Sequence, residues 1–284
     1  MRRIGRAILA LFAAGFACVA YLYLSLPDVR GLRTSNPETT AFIELRAREA
    51  RARGDTPRRV QTWASYPRIS QHLTRAVLVA EDSAFWQHEG VDYDQLKESI
   101  EANFERMEFA RGGSTITQQL AKNLYLSPSK NPIRKLRELL IARHLETELS
   151  KTRILELYLN VIEWGDGIYG AEAAARTYFQ KSAGDLGPQE SALLAAAIIN
   201  PRVLDPGHPT ARLRRRQQMV MRRMGAVTPP PVVAGPAPVP VPAQEAPGAP
   251  LPQLPDAGGV PTILPGEPLP ASTGPGGKPP GGDR

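Results

Sequence analysis

An apolar run near the N-terminus limits the fold of this chain more than any other feature. The run covers residues 7–26 without a charged residue, and three arginines precede it within the first six residues. At ~1.5 Å of rise per residue, a helix of this length spans ~30 Å, the thickness of one hydrocarbon core. Positively charged residues that flank a membrane span favour the cytoplasmic side, so these arginines predict that the N-terminus lies there. The sequence therefore predicts a cytoplasmic N-terminus and transmembrane anchor at residues 1–26, with the rest of the chain on the outer face.

A cleaved signal peptide is the alternative interpretation of this run. Signal peptides usually have a shorter apolar stretch that ends in a small-x-small cleavage site. Residues 17–20 (ACVA) provide only a poor version of such a site. The uncleaved anchor is therefore the favoured interpretation.

The C-terminal end of the chain has the composition of a disordered segment. Eighteen of the sixty residues 225–284 are proline, interleaved with glycine and alanine. Such a segment cannot form a packed core, so we expect a disordered Pro/Gly/Ala-rich tail over residues 228–284. A docking arm for a partner that binds polyproline is the alternative. The tail has a net charge of −2 within a chain of +7, so residues 1–227 are strongly basic, which favours an anionic partner.

Composition excludes several classes of protein. With 42% hydrophobic residues, the chain is not wholly disordered. A single cysteine excludes a disulfide scaffold and a cysteine zinc site, and four scattered histidines argue against a histidine metal cluster.

Between the two ends, the hydrophobic pattern is mainly helical. Residues 27–59 are polar and arginine-rich and are expected to link the anchor to a domain at residues 60–227, with helical composition at 39–53. Apolar positions predict helix faces at Leu73, Val77 and Leu78, and again at Ile133, Leu136, Leu139, Leu140 and Leu145. Residues 191–199 are apolar on all sides, which is typical of a buried helix. No long alternating pattern occurs, so the prediction is a mainly α domain with at most a short hairpin.

Two carboxylates and their neighbours are candidates for chemistry. Glu81 ends an apolar helical stretch, where partial desolvation raises the pKa of a carboxyl and suits it to acid or base catalysis. Glu138 follows Lys135 by one helical turn, and the cations beside this second carboxylate could hold a pyrophosphate. An exposed helix end and a surface ion pair are the respective alternatives. Between them, residues 111–115 (RGGST) predict a mobile turn and a helix cap.

Taken together in their order along the chain, these segments indicate a protein family far more specifically than any one of them does alone. The sequence has EDSAFWQHEG at 81–90, RGGSTITQQLAKN at 111–123, RKLRELLIARHLE at 134–146 and KTRILELYLNVIEWGDGIYG at 151–170. This series resembles the peptidoglycan glycosyltransferases of glycosyltransferase family 51 over about residues 60–210. Because no transpeptidase domain follows, the resemblance is to monofunctional members of that family.

The resemblance implies a mainly α, lysozyme-like, two-lobed glycosyltransferase domain behind a single N-terminal transmembrane helix. It implies an enzyme of the inner (cytoplasmic) membrane with its catalytic domain on the outer, periplasmic face. Such enzymes polymerise lipid II, a disaccharide-pentapeptide on undecaprenyl pyrophosphate, into β-1,4-linked glycan with inversion. The implied partners are lipid II, the growing glycan chain, the membrane and other cell-wall synthesis or division proteins, and no nucleic acid.

The resemblance also implies a role for each site residue. Glu81 matches the general base, and Glu138 matches a second glutamate that positions the pyrophosphate or a divalent cation, Mg²⁺ or Mn²⁺. The residues expected to bind the substrate are Ser114, Gln118, Gln119, Lys122, Lys130 and Lys135. Two other functions remain open at this point: a glycan-cleaving enzyme on the same lysozyme-like fold, and a catalytically inactive membrane scaffold of a cell-wall assembly complex.

Overall fold

The computed structural model of this protein describes residues 2–92, 113–128 and 131–225, which all belong to one compact unit, Met1–Pro236. The predicted tail at 228–284 lies outside the described residues, and so does Lys130. Nine helices are described: α1 (Arg2–Leu24), α2 (Ala41–Ala52), α3 (Gln71–Glu81), α4 (Ile116–Tyr125), α5 (Pro132–Glu148), α6 (Lys151–Val161), α7 (Ala171–Phe179), α8 (Pro188–Ala197) and α9 (Ala211–Arg223). Short 3-10 turns cover Arg30–Arg33, Tyr66–Arg68 and Ala183–Asp185.

Polar capping residues fix where most of these helices begin. Each cap's side chain accepts a hydrogen bond from a backbone N–H of the first turn, which satisfies a donor that has no partner within the helix. The capping residues are Thr40, Ser70, Thr115, Asn131, Ser150 and Thr210. Thr115 is the cap that the sequence predicted within residues 111–115.

Two helices with the clearest apolar patterns form the centre of the core. In α3, Leu73, Val77 and Leu78 are fully buried, as their spacing predicts. In α8, every residue from Ser191 to Ala197 is buried. α3 packs against α8 and α9, whereas α4 packs against α2, α5 and α6. The mainly α prediction is therefore confirmed.

The predicted apolar face of α5 is wrong at its N-terminal end. Ile133 and Leu136 are exposed, by 56% and 43% respectively. The buried residues of α5 are instead Glu138, Ile141, Ala142 and Leu145. These four follow the i, i+3, i+4, i+7 spacing of one helical face, while the expected positions spread around the helix. A charged residue thus faces the interior, and it requires partners there.

The described part of the chain contains one small sheet of three short strands. The strands are β1 (Val60–Gln61), β2 (Glu163–Gly165) and β3 (Ile168–Tyr169), in the order β1-β3-β2. β2 and β3 form the short antiparallel hairpin that the sequence allowed, and β1 adds to β3 in parallel. Gly170 follows β3 with a φ of 86°, and a Cβ there would lie 2.9 Å from the Asn160 carbonyl oxygen. Glycine therefore permits the close turn from the sheet into α7.

The N-terminal run forms helix α1 in the structure. Among the described residues, no helix combines the length and the apolarity that a membrane crossing requires. The transmembrane anchor at residues 1–26 therefore stays a prediction.

Candidate active site

Glu81 is the last residue of α3, next to the first half of α4. Its carboxylate accepts a hydrogen bond of 3.0 Å from the side-chain amide of Gln119. Burial raises the pKa of Glu81, while the Gln119 amide and the charges of Arg216 and Lys122 act in the opposite direction. A carboxyl with a raised pKa that is still held by a donor suits a general base near neutral pH. The Glu81 carboxyl is thus desolvated at the end of α3, as the sequence predicted.

Tyr158 fixes the orientation of the Gln119 amide. Its hydroxyl donates a hydrogen bond of 3.0 Å to the Gln119 side-chain oxygen. Tyr158 is fully buried, and burial raises the pKa of its hydroxyl well above the usual range, so that it stays a donor. Because the amide oxygen accepts from Tyr158, the amide nitrogen must point at Glu81.

Replacing Tyr158 by phenylalanine tests this arrangement. Without the hydroxyl, the Gln119 amide is free to turn and Glu81 loses a hydrogen bond that favours its charged form. The pKa of Glu81 should then rise further. Since a general base must be deprotonated, the acidic limb of the pH–rate profile is expected to move to higher pH.

The measurement is kcat/KM against pH for the wild type and Tyr158→Phe. Tyr125→Phe, which changes a tyrosine outside the Glu81 hydrogen-bond chain, is the matched control. An unchanged acidic limb in Tyr158→Phe, with the activity merely lowered at every pH, would contradict the orienting role.

Asp82 joins the end of α3 to the start of α4. Its buried carboxylate accepts a hydrogen bond of 2.9 Å from the backbone N–H of Ile116 and contacts the Nε2 atom of His88 at 3.0 Å. His88 Nδ1 in turn accepts from the backbone N–H of Gly90. The Gly90 carbonyl accepts from the Thr115 hydroxyl at 2.7 Å. These bonds hold the segment after Glu81 against the helix that bears Gln119.

Replacing Asp82 by alanine is expected to destabilise the protein. The change leaves the buried Ile116 N–H and His88 without their acceptor, which should lower the free energy of unfolding by about 2–4 kcal/mol. Chemical denaturation monitored by circular dichroism measures this loss. Asp28→Ala, at an exposed pair with Arg30, is the control and should leave the midpoint in place. Equal midpoints for Asp82→Ala and the wild type would show that this network does not hold the fold.

Glu138 lies at the centre of a cationic cluster on α5. It is only 3% exposed, and its two carboxylate oxygens contact Lys135 Nζ and Arg134, the latter at 2.6 Å. The Lys135 ammonium also donates to the Ser114 hydroxyl and to the Gln118 side-chain oxygen, each at 3.1 Å. The ion pair that the sequence left open therefore has a buried carboxylate, and its lysine contacts Ser114 just before α4 and Gln118 in the first turn of α4.

The predicted lysines do not all lie in this cluster. Lys122 is partly buried on α4; burial lowers its pKa, and the charges of Glu138 and Glu81 oppose that change. Lys122 therefore lies within electrostatic reach of both carboxylates. Lys130 lies outside the described residues, so its predicted contact stays a prediction.

Both carboxylate oxygens of Glu138 face positively charged side chains in this structure. Within residues 2–92, 113–128 and 131–225, no three or more histidine, cysteine, aspartate or glutamate side chains are grouped as metal ligands. The Mg²⁺ or Mn²⁺ that the resemblance implies at Glu138 stays a prediction, and no step below depends on a metal.

α4 brings the two predicted carboxylates into one hydrogen-bonded array. Gln119 contacts Glu81, while its neighbour Gln118 contacts the Lys135 that pairs with Glu138. Tyr158 is not among the residues that the sequence analysis singled out. Its position between two apolar residues of α6 gave no signal of a polar role, because the hydrogen bond to α4 forms only in the folded core.

Comparison with known proteins gives matches over most of the described chain. The family model for transglycosylases matches residues 49–225. The chain is 46% identical over 191 residues to the biosynthetic peptidoglycan transglycosylase of Dechloromonas aromatica, which covers 67% of this chain and 83% of that protein. It is 47% identical over 201 residues to the protein of the same name from Azoarcus sp., covering 71% of this chain and 86% of that protein.

A third relative matches a larger share of the chain. The biosynthetic peptidoglycan transglycosylase of Chromobacterium violaceum is 43% identical over 229 residues, which are 80% of this chain and 99% of that protein. The family model covers more than half of the chain, and these relatives are covered over most of their own length. The chain therefore belongs to the transglycosylase family.

Proposed function

We propose that this protein polymerises peptidoglycan glycan strands from lipid II. The observation that supports this most is the array on α4, which joins a carboxylate of raised pKa, Glu81, to a cationic cluster around Lys135. An inverting transfer needs a base for the attacking hydroxyl and positive charge for the departing group. Family membership supports the same reaction.

In this proposal, Glu81 accepts the proton of the 4-hydroxyl of the incoming N-acetylglucosamine. That oxygen attacks C1 of the N-acetylmuramic acid at the end of the growing chain. The bond from C1 to the pyrophosphate oxygen breaks, and a β-1,4 bond forms with inversion. Lys135, held by Glu138, Ser114 and Gln118, stabilises the negative charge on the undecaprenyl pyrophosphate that leaves. Lys122 and Lys130 are proposed to add positive charge on the same side.

The proposal includes attachment of the N-terminus to the membrane. Of the α1 side chains that the structure describes, Phe12 and Phe16 are about three-quarters exposed. Large apolar side chains exposed along one helix are unfavourable in water and suit a lipid environment. The sequence of α1 and the water-insoluble tail of lipid II support an inner-membrane anchor, with the catalytic domain on the outer face.

Deleting residues 1–26 tests the anchor. Removal should lower polymerisation of lipid II in vesicles by about tenfold or more, because the enzyme is no longer concentrated at the membrane. Activity on a short-chain analogue in solution should fall much less. Equal losses on the two substrates would contradict a purely anchoring role.

The polymerisation assay separates this function from its alternatives. Purified protein is incubated with lipid II in detergent, with and without Mg²⁺, and the products are resolved by length. Polymer would support the proposal. Release of muropeptides from purified sacculi without polymer from lipid II would favour a glycan-cleaving enzyme, and neither product from folded protein would favour the scaffold.

A further inference from the structure

A charged groove leads away from the candidate site toward the β2–β3 hairpin. It consists of two cavities of about 250 Å³ each, which share Arg46, Glu163 and Arg202 as lining residues. The first cavity is bordered by Gln119 and Lys122 of the active-site helix. Together the two cavities reach the ~300–1,000 Å³ that is typical of ligand pockets.

The groove contains charges of both signs. Four arginines and four acidic side chains line its second cavity. Glu163 is 5% exposed and pairs with Arg46 at 3.2 Å; burial raises the pKa of Glu163, and the charge of Arg46 opposes that rise. Among the described residues, the ion pair of Arg202 is with Asp166, whose side chain is 67% exposed, so a ligand can replace that partner at little cost.

A buried hydroxyl in the second cavity indicates that the groove accepts a polar ligand. Tyr169 is 1% exposed and lines this cavity, and its hydroxyl has no hydrogen-bond partner among the described residues. An unsatisfied buried hydroxyl costs about 1–3 kcal/mol, so it is uncommon without a reason. A polar ligand group in the cavity would satisfy it.

The charges that line the groove indicate which part of a polyanionic sugar substrate would bind there. The acidic residues would repel a phosphate group. An uncharged sugar ring would form no ion pairs with charges of either sign. A short peptide offers carboxylates for the arginines, amide or amine donors for the acidic side chains, and a polar partner for Tyr169. We propose that the charged groove binds the peptide branch of the sugar substrate, an inference that rests on the proposed function.

The first experiment compares two substrates. Polymerisation is measured with lipid II that has its full peptide and with an analogue whose peptide is cut to one residue. Arg202→Gln should raise KM about tenfold more for the full substrate than for the truncated one, because a charge-assisted hydrogen bond to a carboxylate is lost. Arg176→Gln is the matched control: the Arg176 side chain is 64% exposed and pairs with Glu172 outside the groove, so the change should alter neither KM.

A binding measurement separates this inference from the proposed function. Titration calorimetry with a soluble N-acetylmuramoyl pentapeptide needs no catalysis. The wild type should bind it saturably, Arg202→Gln about tenfold more weakly, and Tyr169→Phe more weakly without loss of thermal stability. Polymerisation without saturable peptide binding, or an equal effect of Arg202→Gln on both substrates, would overturn the groove assignment. Peptide binding without polymerisation would instead overturn the proposed function.

Discussion

Replacing Glu81 by glutamine is expected to lower lipid II polymerisation by at least ~10²–10⁴-fold, the contribution typical of a general base. Glutamine keeps the size of the side chain and its contact with Gln119 but cannot take a proton from the attacking hydroxyl. The initial rate of polymer formation, at saturating lipid II, measures this effect. A reduction of less than tenfold would remove Glu81 from the role of base.

Although Glu81→Gln is expected to lower activity, we expect it to maintain or increase the stability of the fold. Burial raises the pKa of Glu81, so the folded state binds its proton more tightly than the unfolded state does. Ionisation of Glu81 therefore lowers stability as the pH rises through the raised pKa. Glu81→Gln removes that penalty, and its melting temperature at neutral pH should equal or exceed that of the wild type. A clear drop in melting temperature would mean that lost activity reflects lost folding.

Replacing Lys135 by methionine is expected to lower the turnover number by ~10²–10³-fold, as when one charge-stabilising donor is removed from an active site. The Lys135 side chain is 41% exposed, so it is partly open to solvent, while its ammonium contacts Ser114, Gln118 and Glu138. Glu138 keeps Arg134 as a partner at 2.6 Å, so the fold should survive the change. Single-turnover rates with lipid II measure the chemical step directly.

Two further variants make the Lys135 test specific. Lys135→Arg keeps the charge but has a different donor geometry, so we expect a rate between those of the wild type and Lys135→Met. Lys181→Met removes a lysine from an exposed pair with Glu190 and should leave the rate unchanged. Equal rates for Lys135→Met and Lys181→Met would exclude Lys135 from the stabilisation of the leaving group.

Local sequence signals predicted the helical class of the domain and drew attention to Glu81 and to a cap at residues 111–115. The apolar spacing of Leu73, Val77 and Leu78 gave the buried face of α3, and the raised pKa of Glu81 followed from its place at the end of that helix. Thr115 was recognised as a possible cap from its residue type and position. These features depend on residues within a few turns of one another, which the sequence displays directly.

These local signals could not predict which face of α5 is buried. Its most apolar N-terminal residues, Ile133 and Leu136, are exposed, while Glu138 is buried. The pattern within the helix does not reveal that a buried carboxylate will find Lys135 and Arg134 as partners. That outcome depends on how α4 packs against α5, which involves residues outside the helix.

Sequence patterns alone indicated the helical class of the domain, a cap at residues 111–115 and the two candidate carboxylates. What these side chains contact depends on tertiary packing. Tyr158 orients Gln119 toward Glu81 across 39 positions of the chain, and Arg46 reaches Glu163 across 117. Periodicity and capping act over a few residues, whereas a buried polar group is satisfied by whichever partner the packed core places within ~3 Å.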